Sequence, residues 1–258
     1  MDLEHNPFEA ALKVGEKQLG LWISLCSGFG AEVTAPSGFD WALIDMEHSP
    51  NDFHSVLAQL QVFASYGTTA IVRPDWNDTV AVKRLLDLGA QGLLFPMIQS
   101  VDEAEQAVAA TRYPPRGVRG VSGNTRANKF GRVTDYAASV DGETTVLVQL
   151  ETTAAIAQAE AIGMVDGVSG IFFGPADIAA DMGLVGQPMN AAVWDVIKPA
   201  AQALIAKGVP VGTLVTDPNF AAGLLNDGFN FVACGSDTGL LAKASDALLE
   251  TVKGKMKE

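Results

Sequence analysis

Thiols and basic residues are scarce in this sequence, and each shortage excludes a class of protein. Only two cysteines occur among 258 residues, Cys26 and Cys234, which is too few for a disulfide-rich secreted scaffold. Both fall in strand-like apolar runs, where a reducing compartment would keep them as buried free thiols. Seventeen basic against thirty acidic residues give a net charge of −13, which argues against nucleic acid or an anionic membrane as the main partner.

Targeting and nucleotide-binding signals are also absent. Residues 1–8 lack the basic start and apolar core of an export signal, and no apolar run approaches the length that spans a bilayer. We therefore expect a cytoplasmic protein that does not bind membranes. No Gly-x-Gly-x-x-Gly follows the first strand and no Gly-Lys-Ser/Thr loop occurs, so nucleotide binding has little support.

Eight short apolar runs alternate with amphipathic helix patterns along the whole chain. The predicted strands are Gly20–Leu25, Trp41–Asp45, Thr69–Arg73, Gly92–Pro96, Thr145–Leu150, Ser169–Phe173, Pro210–Leu214 and Asn230–Ala233. The predicted helices are Asp52–Ser65, Asp78–Leu88, Asp102–Thr111, Thr152–Ile162, Ala191–Lys207, Asn219–Asp227 and Thr238–Lys253.

This alternation requires crossover connections and a parallel sheet. Eight strands favour a closed (β/α)₈ TIM barrel formed by residues 1–258 as one domain over an open doubly wound sheet, although two domains remain possible at this length. Asn6-Pro7 has the pattern of a cap and first helical residue, and predicts an extra N-terminal helix to about Lys17. Residues 113–141 do not fit the repeat, and we interpret them as a surface lid.

Two of the apolar runs lead to a carboxylate just before a helix pattern. Glu151 follows Val146–Leu150 and Asp177 follows Gly170–Ala176, so both acids would emerge at the same edge of the sheet. Each acid could simply cap the next helix, since Asp is a favoured N-cap. Together they predict a site for a hard cation.

Other polar residues occur at the same predicted rim. His48 lies just beyond the second strand, where it is either structural or a general acid/base. Arg73 closes the third strand and either forms an ion pair with Asp45 or Glu47, or stabilises a developing oxyanion. The backbone amides of Gly174-Pro175-Ala176 begin a helix and could hold a carboxylate.

A cation beside an anion site suits a 2-oxo acid, whose enolate the metal would stabilise as a Lewis acid. The competing route to such an enolate equivalent is a Schiff-base lysine inside the barrel. None of the predicted strands ends in lysine. The sequence therefore favours the metal route.

With these residues assembled, the chain resembles the class II pyruvate aldolases of the 4-hydroxy-2-oxoheptanedioate / 2-keto-3-deoxy-sugar-acid aldolase family. The motifs that carry the resemblance extend over nearly the whole chain: Gly20-Leu-Trp22, Phe39-Asp-Trp-Ala-Leu-Ile-Asp-Met-Glu-His48, Val72-Arg73-Pro74, Arg119-Gly120, Gln149-Leu-Glu151 and Phe173-Gly-Pro-Ala-Asp177. It implies metal-dependent, reversible aldol cleavage of 4-hydroxy-2-oxo acids to pyruvate, or hydroxypyruvate, and an aldehyde.

The resemblance also implies roles for individual residues. Glu151 and Asp177 would hold Mg²⁺ or Mn²⁺, with Co²⁺ or Zn²⁺ as substitutes. His48 would be the acid/base residue, with Asp87 of a neighbouring subunit as its partner; from the sequence alone, Asp87 is a solvated residue in the last turn of a helix. The predicted substrate-binding residues are Trp22, Arg73, Gln149, Gly174, Pro175, Ala176 and Leu214.

The resemblance further implies a homohexamer, a dimer of trimers that exchanges the C-terminal helix. It leaves the aldehyde open, because Val121–Arg126 differs from related members in a loop expected to help recognise it. Two other functions also stay open. One is a coenzyme A thioester lyase of the citrate/malyl type on the same fold, and the other is a non-catalytic barrel that binds a small carboxylate.

Overall fold

Eight parallel strands close into a barrel in sequence order in the computed structural model, which describes residues 1–256. The strands are β1 (Gln18–Ile23), β2 (Trp41–Asp45), β3 (Thr69–Arg73), β4 (Gly92–Phe95), β5 (Thr145–Leu150), β6 (Gly170–Phe173), β7 (Val211–Leu214) and β8 (Phe231–Ser236). Pairing between β8 and β1, with Gln18 opposite Phe231, closes the ring. The predicted TIM barrel is confirmed.

Helices surround this barrel and connect its strands. They are α1 (Pro7–Lys13), α2 (Gly28–Thr34), α3 (Phe53–Phe63), α4 (Thr79–Asp87), α5 (Val101–Thr111), α6 (Tyr136–Ser139), α7 (Thr153–Ile156), α8 (Ala159–Gly163), α9 (Pro175–Asp181), α10 (Ala191–Ala206), α11 (Pro218–Asn226) and α12 (Asp237–Lys255). Two short 3₁₀ helices cover Ala35–Ser37 and Val140–Glu143. Within residues 1–256, every helix is too short or too polar to cross a membrane.

One predicted helix is wrong, and two other predictions need a correction. Thr152–Ile162 is two short helices, α7 and α8, because Gln158 leaves helical geometry (ψ 6°) and its N–H bonds to Ala155 in a tighter turn. The N-terminal helix stops at Lys13 rather than near Lys17, and Gly15 then adopts a φ of +73°. Cys26 lies beyond the end of β1, not in a strand, whereas Cys234 is in β8; both thiols are free.

The barrel interior is filled by large side chains rather than left as a channel. Trp41 and Phe231 face each other across it with ring centres 6.0 Å apart, and Phe8 of α1 packs on both from below. Glycines make this possible, since a Cβ on Gly20 would overlap the Trp41 indole and a Cβ on Gly212 would overlap Phe231. Because these aromatic side chains fill the interior, a site can form only at the carboxyl ends of the strands.

The long connection between α5 and β5 lies at the amino-terminal rim of the barrel. It follows a helix and precedes a strand, so it is at the end of the barrel opposite to the carboxyl ends of the strands. It contains α6 and a 3₁₀ turn, and a buried cluster of Val133, Tyr136 and Val140 anchors it. The predicted lid therefore does not cover the carboxyl-terminal rim of its own chain.

Candidate active site

Arg73 is held between two carboxylates at the carboxyl end of β3. Its Nε and Nη2 donate to the two oxygens of Asp45 at 2.9 and 2.8 Å, and Nη1 lies 2.5 Å from Oε2 of Glu47. The register of the barrel explains the first contact, because Asp45 and Arg73 are paired positions of β2 and β3. The ion pairs proposed from the sequence are both present, and they fix the guanidinium in one orientation.

Trp22 of β1 completes this cluster. Its indole N–H donates to Oδ2 of Asp45 at 3.1 Å, and its ring centre is 4.9 Å from the guanidinium carbon of Arg73. Burial alone would raise the pKa of Asp45, but the hydrogen bonds and charge of Arg73, helped by Trp22, outweigh it and lower that pKa below its usual value. Asp45 is therefore a buried anion that orients Arg73.

Glu151 is buried directly after β5 and is close to Asp177. Oε2 of Glu151 accepts the backbone N–H of Met97 at 2.7 Å, and Oε1 accepts from Nε2 of Gln149 at 2.7 Å. Neither acid caps a helix by its side chain, since Thr152 caps α7 and Asp177 lies inside the first turn of α9 after Gly174. The alternative that each acid only caps the next helix is therefore wrong.

The carboxylates at this rim repel one another. Burial, together with the neighbouring charges of Asp177 and Glu47, raises the pKa of Glu151 to about 8. The pKa of Glu47 is also raised, chiefly by burial, although the charges of Arg73 and His48 oppose this. Neighbouring carboxylates, of which Glu151 is buried, are electrostatically unfavourable without a cation between them, and a bound divalent ion would remove the repulsion.

The donor set fits a small divalent cation that keeps part of its own water shell. Oε1 of Gln149 is buried and accepts no hydrogen bond within residues 1–256. A Cβ on Gly174 would lie 2.8 Å from Cγ of Glu151 and 3.1 Å from Nε2 of Gln149, so glycine keeps this space open. In the same range no group of three or more His, Cys, Asp or Glu side chains is arranged to hold a metal. Two carboxylates could still bind Mg²⁺, because this ion usually keeps several waters as its other ligands.

A cavity of about 250 Å³ opens at this rim. It is lined by Trp22, His48, Arg73, Gln149, Phe172, Gly174, Pro175, Ala176, Asp177, Pro188, Met189, Leu214, Val215 and Thr216. Every residue that the sequence predicted as substrate-binding is in this set, as are His48 and Asp177, while Glu151 lies beneath it against Gln149 and Gly174. None of residues 113–141 lines it.

Two predicted catalytic residues have contrasting surroundings. The His48 side chain is 68% exposed, and Nε2 is 3.9 Å from Oε2 of Glu47, too far for a hydrogen bond. Asp87 ends α4 at the opposite rim of the barrel and pairs with Arg119 at 3.1 Å. A single chain therefore does not bring Asp87 to His48, and Asp87 is ion-paired rather than simply solvated.

One wall of the cavity was not predicted from the sequence. Pro188 and Met189, which follow α9, and Val215, which follows β7, face the same space as Leu214. These side chains are apolar and lie in loops, so no polar motif drew attention to them. Their position after strands β6 and β7 was the available signal, because all such loops meet at one rim.

Comparison with known proteins identifies the family. A family model described as HpcH/HpaI aldolase/citrate lyase matches residues 18–244. The chain belongs to this family. A pyruvate aldolase of Rhizobium etli is 49% identical over 248 residues, which cover 96% of this chain and 98% of that protein. A 4-hydroxy-2-oxo-heptane-1,7-dioate aldolase of Salmonella arizonae is 48% identical over 244 residues, covering 94% of this chain and 93% of that protein.

A solved HpcH/HpaI family structure supports the same conclusion. The Burkholderia cenocepacia J2315 protein is 35% identical, with a TM-score of 0.93 over 96% of this chain and 99% of that chain. The predicted aldolase family and the prediction of a carbon–carbon lyase are confirmed. The names of the relatives support aldol cleavage to pyruvate and favour it over a thioester lyase. HpcH/HpaI aldolases generally depend on a divalent metal ion.

Proposed function

We propose that this HpcH/HpaI aldolase reversibly cleaves 4-hydroxy-2-oxo acids to pyruvate, or hydroxypyruvate, and an aldehyde, with Glu151 and Asp177 as ligands of Mg²⁺ or Mn²⁺. The observation that carries the proposal is the buried Glu151 close to Asp177 beside the cavity, at the edge where Arg73 is fixed. Co²⁺ and Zn²⁺ are possible substitutes. When bound, the cation would act as a Lewis acid on the oxo group.

Arg73 and Gln149 would bind the 2-oxo acid. Arg73 is aimed by Asp45 and Glu47, so its charge is available at the cavity without reorientation when negative charge develops on the substrate oxygen. The amide of Gln149 is fixed by Glu151 through Nε2, and its oxygen is free of other partners among residues 1–256. The N–H of Ala176 would donate to the substrate carboxylate, while Trp22, Gly174, Pro175 and Leu214 shape the cavity.

His48 would transfer the proton at the 4-hydroxyl group. In the cleavage direction its imidazole accepts this proton, directly or through a water molecule, as the bond between C3 and C4 breaks. Asp87 of a neighbouring subunit would orient the imidazole, since His48 has no carboxylate within hydrogen-bond distance in its own chain as far as residue 256. A homohexamer built as a dimer of trimers would supply that neighbour.

Metal removal tests the proposal directly. Activity on 4-hydroxy-2-oxo acids of several chain lengths is measured through released pyruvate, in excess EDTA and after adding Mg²⁺ or Mn²⁺. Chelation should abolish cleavage and the metals should restore it, whereas Glu151→Ala and Asp177→Ala should be inactive with either metal. Metal binding by the folded variants, followed with Mn²⁺ and electron paramagnetic resonance, should be weaker. Full turnover in EDTA, or a borohydride-trapped lysine adduct, would contradict the proposal.

Exchange of the pyruvate methyl protons with solvent separates the roles of Arg73 and His48. Arg73→Ala should lose both this exchange and aldol cleavage, because it removes the charge beside the reacting oxygen. His48→Ala should keep exchange and slow cleavage by about 10²-fold or more, the usual effect of losing a general acid/base. Both are measured by NMR in D₂O. Retained exchange in Arg73→Ala would contradict the role of Arg73.

A further inference from the structure

Arg119 is a fully buried cation in the connection between α5 and β5. Its side chain is 0% exposed, and Nη2 donates to Oδ1 of Asp87 at 3.1 Å and to the hydroxyl of Tyr136 at 3.3 Å. The guanidinium carbon lies 4.6 Å from the ring centre of Tyr113. Nε and Nη1 have no hydrogen-bond partner in the described part of the chain, so Nη2 provides its polar anchoring there.

Asp87 occupies an unfavourable place for an acid. It is the last residue of α4, where the negative end of the helix dipole repels a carboxylate. Its backbone carbonyl accepts from Ala127 at 3.2 Å, and its side chain is 24% exposed. The buried Arg119 thus stabilises a carboxylate, Asp87, in a place that disfavours it. Residues in locally unfavourable positions are concentrated at functional sites.

Within residues 1–256, His48 has no carboxylate close enough to orient its ring by a hydrogen bond. A general base is normally oriented by a third group within hydrogen-bond distance. Among residues 1–256, the nearest carboxylate oxygen, on Glu47, is 3.9 Å from Nε2 of His48 and is already bound by Arg73. Because Asp87 is at the opposite rim of the same barrel, only a second copy of the chain can bring it to His48.

We propose that Arg119 is a positioning residue for the aldol step, because it fixes the carboxylate of Asp87 in the orientation that receives His48 of a second copy. This inference rests on the proposed function. Arg119 itself contacts neither substrate nor His48. Lysine should replace it poorly, because the planar guanidinium packs against the ring of Tyr113 while it reaches Asp87 and Tyr136, and an ammonium group has no such plane.

The test compares Arg119→Lys with Asp87→Asn in the intact assembly. Arg116→Lys is the matched control, since Arg116 is in the same connection but pairs with Asp141 at the surface. Asp87→Asn should slow aldol cleavage by about 10²-fold, and Arg119→Lys by about tenfold to a hundredfold through misplacement. Proton exchange on pyruvate should remain normal in both. The double variant should be no slower than Asp87→Asn alone, because both changes remove the same interaction.

Several outcomes would overturn the inference. One is a normal cleavage rate in folded Arg119→Lys. Another is that Arg119→Lys loses proton exchange and cleavage to the same extent. A third is that the two substitutions slow cleavage additively in the double variant. If Arg119→Lys does not fold, Tyr136→Phe removes only the hydroxyl that receives Nη2; slower cleavage with normal exchange supports the inference, and an unchanged cleavage rate overturns it. Normal cleavage by Asp87→Asn would remove the role of Asp87 and this inference, while the metal and Glu151 experiments would still test the lyase chemistry.

Discussion

The structural contacts of Arg73 would also suit its proposed chemical role. Its ion pairs with Asp45 and Glu47 are what a purely structural arginine would make. The same contacts hold the guanidinium rigidly at the edge of the cavity, which is what stabilisation of a developing negative charge requires. The two interpretations of Arg73 are therefore compatible, and only its removal can separate them.

Asp45→Asn should destabilise the protein at neutral pH by about 3 kcal/mol, because it leaves Arg73 without one buried partner. The folded-state pKa of Asp45 is below its usual value. Its stabilising contribution is therefore complete above about pH 4 and is lost as the pH falls through the folded-state pKa. Urea unfolding should show that the difference in the free energy of unfolding between wild type and Asp45→Asn is smaller at pH 3 than at pH 7.

The control for this prediction is Asp166→Asn. Asp166 is also paired with an arginine, but its side chain is 92% exposed, so it should leave stability nearly unchanged. A constant difference between wild type and Asp45→Asn at both pH values would show that the carboxylate charge is not what stabilises the cluster.

The strands determine where the site lies, because their carboxyl ends share one rim and aromatic residues fill the interior of the barrel. Trp41 and Phe231 occupy the space that Gly20 and Gly212 leave free. The connections are less regular. The stretch predicted as one helix after β5 divides into α7 and α8, and α2 occupies a connection where the sequence suggested none. The positions of β5 and Glu151 do not depend on these details.

Gly212→Ala tests the packing of the barrel interior. The new methyl group would overlap the ring and the backbone oxygen of Phe231, and the backbone cannot move away easily. We expect a loss of about 1–3 kcal/mol in the free energy of unfolding, measured by urea titration. Gly223→Ala in α11 is the control, since its methyl group would meet nothing within 4 Å and alanine favours helix. Equal stability of Gly212→Ala and wild type would contradict this packing.

The surface of α12 bears on the assembly of the whole molecule. Asp237 is the one buried residue of this helix within the described chain, and Leu240, Leu241, Leu248, Leu249 and Val252 are all about half exposed or more. Asp237 ties the start of the helix to the barrel by accepting the backbone N–H groups of Ser24 and Leu25. An exposed row of leucines supports the proposed exchange of α12 between subunits.

The assembly prediction is a particle of six 27.0 kDa chains, measured by light scattering after size exclusion. Leu241→Glu with Leu248→Glu should yield smaller species, because charges would be buried at the interface. Lys243→Glu on the same helix should change the assembly less. A monomeric wild type would contradict both the hexamer and the supply of Asp87 from a second chain.

The order of strands and helices was predictable from the sequence. Continuous apolar runs ending in polar residues are local patterns, and β2, β3 and β5 begin and end where predicted. The common rim of Glu151 and Asp177 followed from parallel strands alone. The resemblance added the substrate-binding set, all of which lines one cavity. That residues 1–258 form one domain stays a prediction.

Contacts between distant segments depended on the closed barrel. The clamp of Asp45 and Glu47 on Arg73 arises from strand register, and the apolar wall of Pro188, Met189 and Val215 arises from the paths of two loops. The place of Asp87 and residues 113–141 at the opposite rim follows from the direction of the helices. Periodicity describes which way a side chain faces along its own element, whereas distances between elements are set by how all eight strands pack together.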